Sequence, residues 1–461
     1  MKMWLIIISF VVLIIIGTFL LLCSCAKKRE QKMVPAGSPM TEFIHFQFAI
    51  YYLPVPANDP LAVLRHLVAA EHKNLTIVDE IKWAEAPTGM VVRARIAKNV
   101  QEEYAPPNME ALQYFGHGVS REQAQALQKC EQALVLDFGH PKQSVLQGLH
   151  TANELAEHVA RETDGLLWDE QTREVFSPDE WHKQRLTSWI DEVPDVSKQT
   201  AIHSYKSGEY PRAVTLGMAK FGLPDVVIED FSWALDRTMG DLIKLLSQAM
   251  AEGASFEKAG EFDLDIRAIA HPDVRQVSLE SLKPNTTPIV YLSLRQGIWQ
   301  KGDPLNRLIE ITFDRYPGRD VHAKHEKMSS SLFGWKDSIS AVDHPTDELL
   351  TASQKAKDKL PALREAFTAR LQPGEFIQVK APFSTPDGGR EYMWIQVTIW
   401  KGDKIEGLLL NEPYHIPDLH GGQTVKVRQE DVFDYIRQFP DGTVEGNETE
   451  WIIQQMGKDK Q

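Results

Sequence analysis

Three acidic residues near the end of a predicted strand are the first candidates for chemistry. Asp169, Glu170 and Glu174 lie within the run GLLWDEQTREVF, and neighbouring carboxylates can act as general acid and general base. Solvated acids of a surface turn have the same sequence pattern, and that interpretation is favoured. A hydrolytic site would be favoured instead if the fold brought Asp169, Glu174 and His203 together in a deep polar pocket.

Two histidines, His322 and His325, are spaced to share one face of a helix and could bind a metal with a third ligand from elsewhere. The run HEKMS, which starts at His325, also begins like the zinc-binding helix of a metalloprotease, which needs a second histidine four residues further on. Ser329 occupies that place. A metalloprotease is therefore excluded, and the two histidines are interpreted as solvated residues of a polar loop.

A turn-rich run near the C-terminus, GLLLNEPYHIPDLHGG, carries a further pair of histidines. His415 and His420 flank Asp418, and two imidazoles with one carboxylate can bind a metal ion. Prolines, an aspartate and paired glycines at this density also predict a corner of the scaffold. The corner is the favoured interpretation, and we predict no metal site.

Common catalytic and nucleotide-binding motifs are missing from the sequence. There is no GxxxxGK[ST] phosphate loop and no GxSxG nucleophile elbow. The run GHGVSR, from Gly116, offers two of the three glycines that a dinucleotide-binding loop needs. No cofactor is expected, and binding is favoured over catalysis while the enzyme question stays open.

The balance of charge limits the class of partner. The chain of 461 residues has a formal net charge of −14. Nucleic acids attract proteins through cations that neutralise phosphates, so nucleic acid is not an expected partner. The acidity favours solubility and, as a second option, basic partners.

The N-terminal run from Trp4 to Cys25 has no charged residue and is dominated by Ile, Leu, Val and Phe. Such a helix is long enough to cross a bilayer, so residues 4–25 are predicted to contact lipid. More basic residues follow the run than precede it, and this pattern predicts that the C-terminal region lies in the cytoplasm. The alternative is a lipoprotein acylated at Cys25, with that region outside, but the length of the run favours an uncleaved anchor.

The rest of the chain predicts an α+β protein in several parts. The expected parts are an anchor or signal segment at 1–26, a tether at 27–41, an α+β region at 42–256 that forms one unit or two divided near residue 140, a mainly β region at 257–343, and a C-terminal domain at 344–461.

The α+β region begins with alternating strand and helix patterns. Asn58 or Asp59 fits the N-cap of a helix and Pro60 its first turn, and a second helix is predicted near SREQAQALQKC. Strands are predicted at EFIHFQFAIYYL, LTIVDEIKW, GMVVRARIA and ALVLDFG. The resulting order, βαββαβ, is typical of a ferredoxin-like unit.

Further helices and strands follow up to residue 343. The run KQSVLQGLHTANELAEHVARET has the apolar periodicity of an amphipathic helix, and Ser177 begins a capping box in SPDEW. Another helix is predicted near TMGDLIKLLSQAMAEG, and KHEKMSSSLFGW is expected to be an exposed loop. The predicted strands are TAIHSYK, AVTLGMA, DVVIED, FDLDIRAIA, PIVYLSLRQ and RLIEITFDRY.

The C-terminal domain combines a long helix with short strands. The run TDELLTASQKAKDKLPALREAFTARL has one apolar face, and Pro361 should kink or restart the helix. Four β-like runs follow, EFIQVKAPF, EYMWIQVTIW, KIEGLLLNEP and QTVKV. They predict a small twisted sheet or partial barrel, with flanking helices that include a short one at EDVFDYIRQF.

This domain resembles a known family. A V-K-x-P-F strand, an E-x-M-W strand, a G-x-L-x-N-x-P turn, a G-x-x-V-x-V strand and an acidic short helix before a D-G turn are similar to the YegJ-like domain of unknown function, family 2314. The match covers about residues 347–456, and the remainder of the chain is not recognised. The family usually has an Asp-Trp pair where this chain has Asp434-Tyr435, so a hydrogen bond from the indole would be lost. The family has no assigned activity.

The resemblance implies candidate surface positions for a ligand or partner groove. The positions that match the family pattern are Asn411, Glu391, Trp394, Pro413 and Gly407. Trp394 faces either the core or a groove, since side chains alternate along a strand. Asn411 could instead serve only as a turn former.

These observations favour a membrane-anchored bacterial protein whose soluble part binds a protein or peptide without catalysis. One alternative is a hydrolase that acts on envelope material through an unrecognised carboxylate or histidine site. Another is an immunity or sensor protein, because an acidic surface would suit a basic toxin.

Overall fold

A computed structural model describes residues 31–449 and Ile452, except for 83–86, 209, 284–285, 335–339, 342–345, 370, 372–374, 412 and 440–442. The predicted membrane segment, residues 4–25, lies outside the described residues. Within the described ranges, no helix is both long and apolar enough to cross a membrane. These ranges form four sheets and ten helices, which confirms the α+β class.

The first sheet has seven strands, and its central strands are apolar on both faces. The strands are β1 (Phe43–Tyr52), β2 (Leu75–Ile77), β3 (Met90–Ala97), β4 (Gly116–His117), β5 (Gln132–Pro141), β6 (Leu166–Asp169) and β7 (Glu174–Phe176), in the order β2-β3-β5-β1-β6-β7-β4. Phe46 and Phe48 of β1 belong to the largest core cluster, whereas Ala49 and Tyr51 belong to a second cluster. The sheet is therefore covered on both sides.

The predicted ferredoxin-like topology is wrong. That topology would place β1 between β3 and β5, whereas β5 lies between β1 and β3. In addition, β2 runs parallel to β3. The succession of elements follows local sequence patterns, but strand order depends on contacts between distant segments.

Six helices accompany the first sheet, and predicted caps start two of them. They are α1 (Pro60–Ala70), α2 (Val100–Glu103), α3 (Leu112–Phe115), α4 (Arg121–Leu127), α5 (Val145–Thr163) and α6 (Pro178–Trp181). Asp59 caps α1 and Ser177 caps α6, each by accepting a backbone hydrogen bond. A π-helical turn (His182–Leu186) follows α6.

A two-stranded sheet of β8 (Trp189–Ile190) and β9 (Val193–Pro194) precedes the second large sheet. The latter consists of β10 (Ala201–Ser207), β11 (Tyr210–Leu216), β12 (Asp225–Ile228), β13 (Glu261–Asp265), β14 (Ile289–Gln296) and β15 (Leu308–Thr312), in the order β10-β11-β12-β15-β14-β13. Strands from both sides of the predicted boundary at 256 and 257 thus share one sheet.

Three helices belong to this region: α7 (Asp236–Ala251), α8 (Pro272–Glu280) and α9 (Val321–Phe333). The exposed loop predicted at KHEKMSSSLFGW is wrong, because most of that run lies in α9. Asp320 caps α9 by accepting from the Ala323 N–H, and Met328 and Leu332 are buried in the core.

Part of the predicted tether is bound to the second sheet. Val34 is buried, and its N–H donates to the carbonyl of Leu294 on β14 at 3.1 Å. Gly37 forms a β-bridge with Phe256. Apolar side chains in this segment therefore attach it to the folded region.

The C-terminal sheet confirms the four predicted β-runs. Its strands are β16 (Ser340–Ala341), β17 (Phe376–Ser384), β18 (Arg390–Lys401), β19 (Lys404–Leu409), β20 (Thr424–Arg428), β21 (Asp434–Gln438) and β22 (Val444–Gly446), in the order β20-β19-β18-β17-β21-β22 with β16 beside β18. The helix α10 (Asp347–Thr368) packs on this sheet and is continuous through Pro361.

The short helix predicted at EDVFDYIRQF is wrong, since this run contains a single 3-10 turn followed by β21. The Asp434 carboxylate accepts hydrogen bonds from the backbone and hydroxyl of Thr449. Tyr435 packs in the domain core. Contacts with residues beyond the run thus favour the extended conformation.

Candidate functional site

The carboxylates Asp169 and Glu174 face each other across a hairpin. Asp169 ends β6, Glu174 begins β7, and the two residues are paired in register. The Asp169 side chain accepts a hydrogen bond from the Gln171 N–H at 3.1 Å, which holds the turn. Both side chains point inward, because Asp169 is fully buried and Glu174 is nearly so.

A buried ion-pair network occupies these carboxylates. Arg185 Nη2 lies 3.1 Å from Asp169 Oδ2 and 3.0 Å from Glu174 Oε2. Lys220 Nζ contacts the same oxygen of Asp169, and His117 Nε2 lies 2.9 Å from Glu174 Oε1. Each carboxylate therefore has cationic or hydrogen-bonding partners within the protein.

Burial and neighbouring charges act in opposite directions on the pKa values of Glu174 and Lys220. Burial would raise the pKa of Glu174, but the hydrogen bond with His117 and the charge of Arg185 lower that pKa to about 2. Burial lowers the pKa of Lys220 to about 8, and the charge of Asp169 opposes a further decrease. A buried carboxylate that stays ionised and paired is a poor general acid at neutral pH.

The π-helical turn after α6 positions Arg185 in this network. Its guanidinium carbon lies 4.6 Å from the centre of the Phe176 ring and 5.7 Å from that of Trp181. Arg185 also donates to the carbonyl of Lys198. Rings and hydrogen bonds thus fix a cation that is only 1 % exposed.

A surface cleft with a volume of about 540 Å³ lies beside the network. Three aromatic side chains, two acids, an arginine and a histidine line it together with small residues: Tyr104, Phe115, Trp168, Glu103, Glu170, Arg173, His203, Ala105, Pro107 and Ala111. This mixture of apolar wall and polar groups is typical of binding sites.

Hydrogen bonds hold the polar groups of the cleft. Trp168 Nε1 donates to Glu170 Oε2 at 2.7 Å, which aligns an exposed carboxylate along the wall. Arg173 donates to the carbonyls of Gly302 at 2.9 Å and Asp303 at 3.3 Å. These bonds hold the Glu170 carboxylate and the Arg173 guanidinium in defined positions in the cleft.

His203 forms part of the opposite wall. Its ring centre lies 4.9 Å from that of Phe115. Burial lowers the pKa of His203, and the nearby charge of Arg173 lowers it further. Within the described residues its Nε2 has no hydrogen-bond partner, so a bound ligand could donate to it or accept from it.

The grouping that would have favoured hydrolysis is not formed. Of Asp169, Glu174 and His203, only His203 lines the cleft. Of the three acids in the predicted cluster, Glu170 lines the cleft, and Glu103 lines it as well. The other aromatic and charged lining residues were missed, because α2, α3 and the β6–β7 turn are brought together by the sheet rather than by sequence proximity.

The C-terminal candidates form a hydrogen-bonded corner. Asn411 Oδ1 accepts from the Trp394 N–H at 2.5 Å, and both residues are buried. Gly407 on β19 lies so close to β18 that an added Cβ would be 2.0 Å from the Gln396 carbonyl. Pro413 is half-buried nearby. Their contact with a partner stays a prediction.

Glu391 fixes the outer face of this corner. Its carboxylate accepts from the His415 N–H at 2.8 Å and the Tyr414 N–H at 3.2 Å, and lies 2.7 Å from His415 Nδ1. Glu391 itself is 1 % exposed, whereas Tyr414 is 66 % exposed. A partner at this corner would therefore meet Tyr414 and His415 first.

His322 and His325 lie on α9 with ring centres 6.1 Å apart, and the predicted solvated loop is wrong for His325, which is buried. The ring of His322 lies 4.1 Å from that of Tyr210, while His325 is buried against Phe313. Burial lowers the pKa of His325 to about 3. In the part of the chain that the structure describes, no third ligand atom lies close enough to His322 and His325 to hold an ion with them. The ligand atoms of His415, Asp418 and His420 are likewise too far apart to hold one ion.

The fold defines a multi-sheet α+β protein with an aromatic cleft in its N-terminal part and a seven-stranded sheet in its C-terminal part. Residues 346–461 match the family described as an uncharacterized protein conserved in bacteria, DUF2314. The C-terminal region is thus a DUF2314 domain, as its resemblance predicted, and the rest of the chain is unassigned. Comparisons with curated proteins and with solved structures gave no match.

Proposed function

We propose that this bacterial protein is a non-catalytic module that binds a protein or peptide, with the aromatic cleft as its main contact. The proposal rests on which side chains around β6 and β7 line the cleft and which are ion-paired in the interior. Asp169 and Glu174 are ion-paired behind the cleft, whereas Trp168, Glu170 and Arg173 face it. Glu170 is exposed and Arg173 half-buried, which suits recognition, whereas the groups best suited to hydrolysis are already paired.

The chemistry of the cleft favours a basic, extended peptide segment. The rings of Tyr104, Phe115 and Trp168 can contact the aliphatic part and the charge of a lysine or arginine. Glu170 offers a carboxylate to that charge, and Arg173 can donate to a peptide carbonyl. The formal net charge of −14 would attract such a segment.

The experiment uses the full chain in detergent micelles and a fluorescent peptide library in which lysine and arginine content varies. Phe115→Ala, which removes a half-buried ring of the cleft, should weaken binding of basic peptides by about fivefold or more, the usual effect of losing an aromatic contact. Glu170→Gln should weaken basic peptides more than neutral ones. Tyr291→Ala, which removes a 41 % exposed tyrosine elsewhere, is the matched control.

Two outcomes would overturn the proposal. Equal binding by the Phe115→Ala, Glu170→Gln and control variants would place recognition elsewhere on the protein. Cleavage of a bound peptide that is lost with His203→Ala would favour the hydrolase alternative.

The C-terminal corner is the second proposed contact, with Asn411, Glu391, Trp394, Pro413 and Gly407 as its supporting residues. Its accessible part is Tyr414 with His415. Tyr414→Ala should reduce partner binding without reducing stability, because this side chain is 66 % exposed.

We also propose that residues 4–25 anchor the chain in the bilayer with the C-terminal region in the cytoplasm. The uncharged length of the run and the basic residues after it support this arrangement. Palmitate labelling that survives Cys23→Ala and disappears with Cys25→Ala would show a lipoprotein acylated at Cys25 instead.

A further inference from the structure

A cluster of metal-ligating side chains joins the end of α1 to α5, far in sequence from the cleft residues. Glu71 and His72 directly follow α1, and His158 lies on α5. His158 Nδ1 is 3.0 Å from Glu71 Oε2. One ligand atom from each of these three residues lies within 4.8 Å of the other two.

His72 differs from an ordinary surface histidine in its burial and in the hydrogen bonding of its ring. It is 9 % exposed, and its Nε2 has no hydrogen-bond partner among the described residues. A buried polar atom without a partner is unfavourable. Its ring centre lies 6.3 Å from that of His158, so both imidazoles face the same small region.

Two further polar side chains lie on the same face of α5 as His158. His150, Glu154 and His158 are spaced four residues apart, which places them along one stripe of the helix. Glu154 lies 3.4 Å from His150 and is outside the group of ligand atoms that lie within 4.8 Å of one another. Water is therefore the expected fourth ligand.

We propose that Glu71, His72 and His158 bind one divalent transition-metal ion of the zinc type, with water as the fourth ligand. Zinc takes imidazole nitrogens and carboxylate oxygens at about 2.0–2.2 Å, so tetrahedral ligand atoms lie about 3.4 Å apart. The present separations, 3.0 Å between His158 Nδ1 and Glu71 Oε2 and at most 4.8 Å within the group, bracket this value. Glu71 and His158 are partly exposed, which leaves a route for the ion.

The ion would connect two helices that otherwise meet through side-chain packing and the hydrogen bond between His158 and Glu71. α1 ends at the cluster, and α5 crosses it in its second turn from the C-terminus. Binding would give His72 a polar partner and neutralise the Glu71 carboxylate. The expected role is a clamp that stabilises the first sheet and its helices.

The test titrates Zn²⁺ into the metal-free full chain in detergent micelles, under reducing conditions, by calorimetry and by thermal unfolding. The double variant Glu71→Gln, His158→Gln should bind one equivalent fewer than the unmodified protein and lose the Zn²⁺-dependent increase in the unfolding midpoint. His66→Gln, which changes an exposed histidine of α1, should behave like the unmodified protein. Ions held by Cys23 and Cys25 would be common to all variants and cancel in the comparison.

Two results would overturn the site. One is an equal number of bound ions in the unmodified protein and the double variant. The other is a Zn²⁺-dependent midpoint increase that persists in both the double variant and His72→Asn. Metal-free unfolding of each variant is measured alongside, and Glu71→Gln alone, at an exposed position, provides a second variant if a histidine substitution impairs folding.

Discussion

Arg185 Nη2 lies 3.1 Å from Asp169 Oδ2 in an ion pair whose side chains are 1 % and 0 % exposed. The same nitrogen bonds Glu174, and Lys220 reaches Asp169 from the other side. Two acids and two bases thus neutralise each other beneath the cleft. The ion pair between Arg185 and Asp169 fixes the conformation of the β6–β7 turn. That turn determines the positions of Glu170 and Arg173.

Removing the arginine should be more damaging than removing the lysine. Arg185→Met leaves Glu174 without its buried guanidinium partner and Asp169 with Lys220 alone, so the free energy of unfolding should fall by about 3–5 kcal/mol. Lys220→Met should have a smaller effect, because Arg185 still pairs with both carboxylates. Urea unfolding measures both, with exposed Lys183→Met as the control. A larger loss for Lys220→Met would contradict this account.

The stability of the C-terminal corner should depend on the side-chain oxygen of Asn411. Asn411→Ala removes the acceptor of the Trp394 N–H and leaves that donor buried, so the free energy of unfolding should fall by about 1–3 kcal/mol. Asn411→Asp retains an oxygen acceptor and should cost less. If Asn411→Ala unfolds at the same urea concentration as the unmodified protein but fails to bind a partner, the residue acts in recognition rather than as a turn lock.

Alanine substitution should have opposite effects on stability at Gly407 and at Gly240. At Gly407 the new methyl group would collide with the backbone of β18, so Gly407→Ala should destabilise the protein by about 1–3 kcal/mol or more. Gly240, inside α7, has no heavy atom within 4 Å of an added Cβ. Gly240→Ala should therefore stabilise the helix by about 0.5–1 kcal/mol. Thermal and urea unfolding of both variants would test the pair, and equal effects would contradict the strand geometry.

Stability should decrease as pH falls below the ordinary histidine pKa of 6.5. Burial lowers the pKa of His140 to about 4 and that of His325 to about 3. The unfolded chain gains a proton at each site from about pH 6.5 downward, whereas the folded chain does so only near pH 4 and pH 3. Each histidine thus reduces the free energy of unfolding by up to about 1.4 kcal/mol per pH unit in that window.

Urea unfolding between pH 7.5 and pH 4.5 measures this dependence. His325→Phe should make the loss of stability less steep by about one proton, since it keeps an aromatic ring beside Phe313 and removes the titrating group. His66→Gln, at an exposed position, should leave the slope unchanged. A slope that His325→Phe does not alter would mean that the buried imidazole already binds a proton in the folded state.

Local patterns in the sequence predicted what local forces determine. The caps at Asp59 and Ser177 and the apolar periodicity of α5 gave helices at their observed places. The run around Ser329 did not follow its polar composition, because Met328 and Leu332 pack into a core assembled from other strands. Asp434 likewise joins a strand because Thr449, fifteen residues later, bonds its carboxylate.

The residues of the cleft and of the proposed metal site were also only partly predictable from local sequence patterns. Glu170 and His203 stood out as titratable residues, but the cleft required the order of seven strands, which local patterns do not contain. The spacing of His150, Glu154 and His158 was a sequence signal that could have directed attention to α5. Its partners Glu71 and His72 could be found only once α1 was known to pack against that helix.

The parallel pairing of β12 with β15 has a consequence for synthesis of the protein. About 80 residues separate the two strands, and a ribosome adds roughly 5–20 residues per second. For several seconds the nascent chain therefore holds a strand of Val226, Val227 and Ile228 with one unpaired edge. Such an edge can pair with another chain, so the interval between β12 and β15 is when the emerging protein most needs a chaperone.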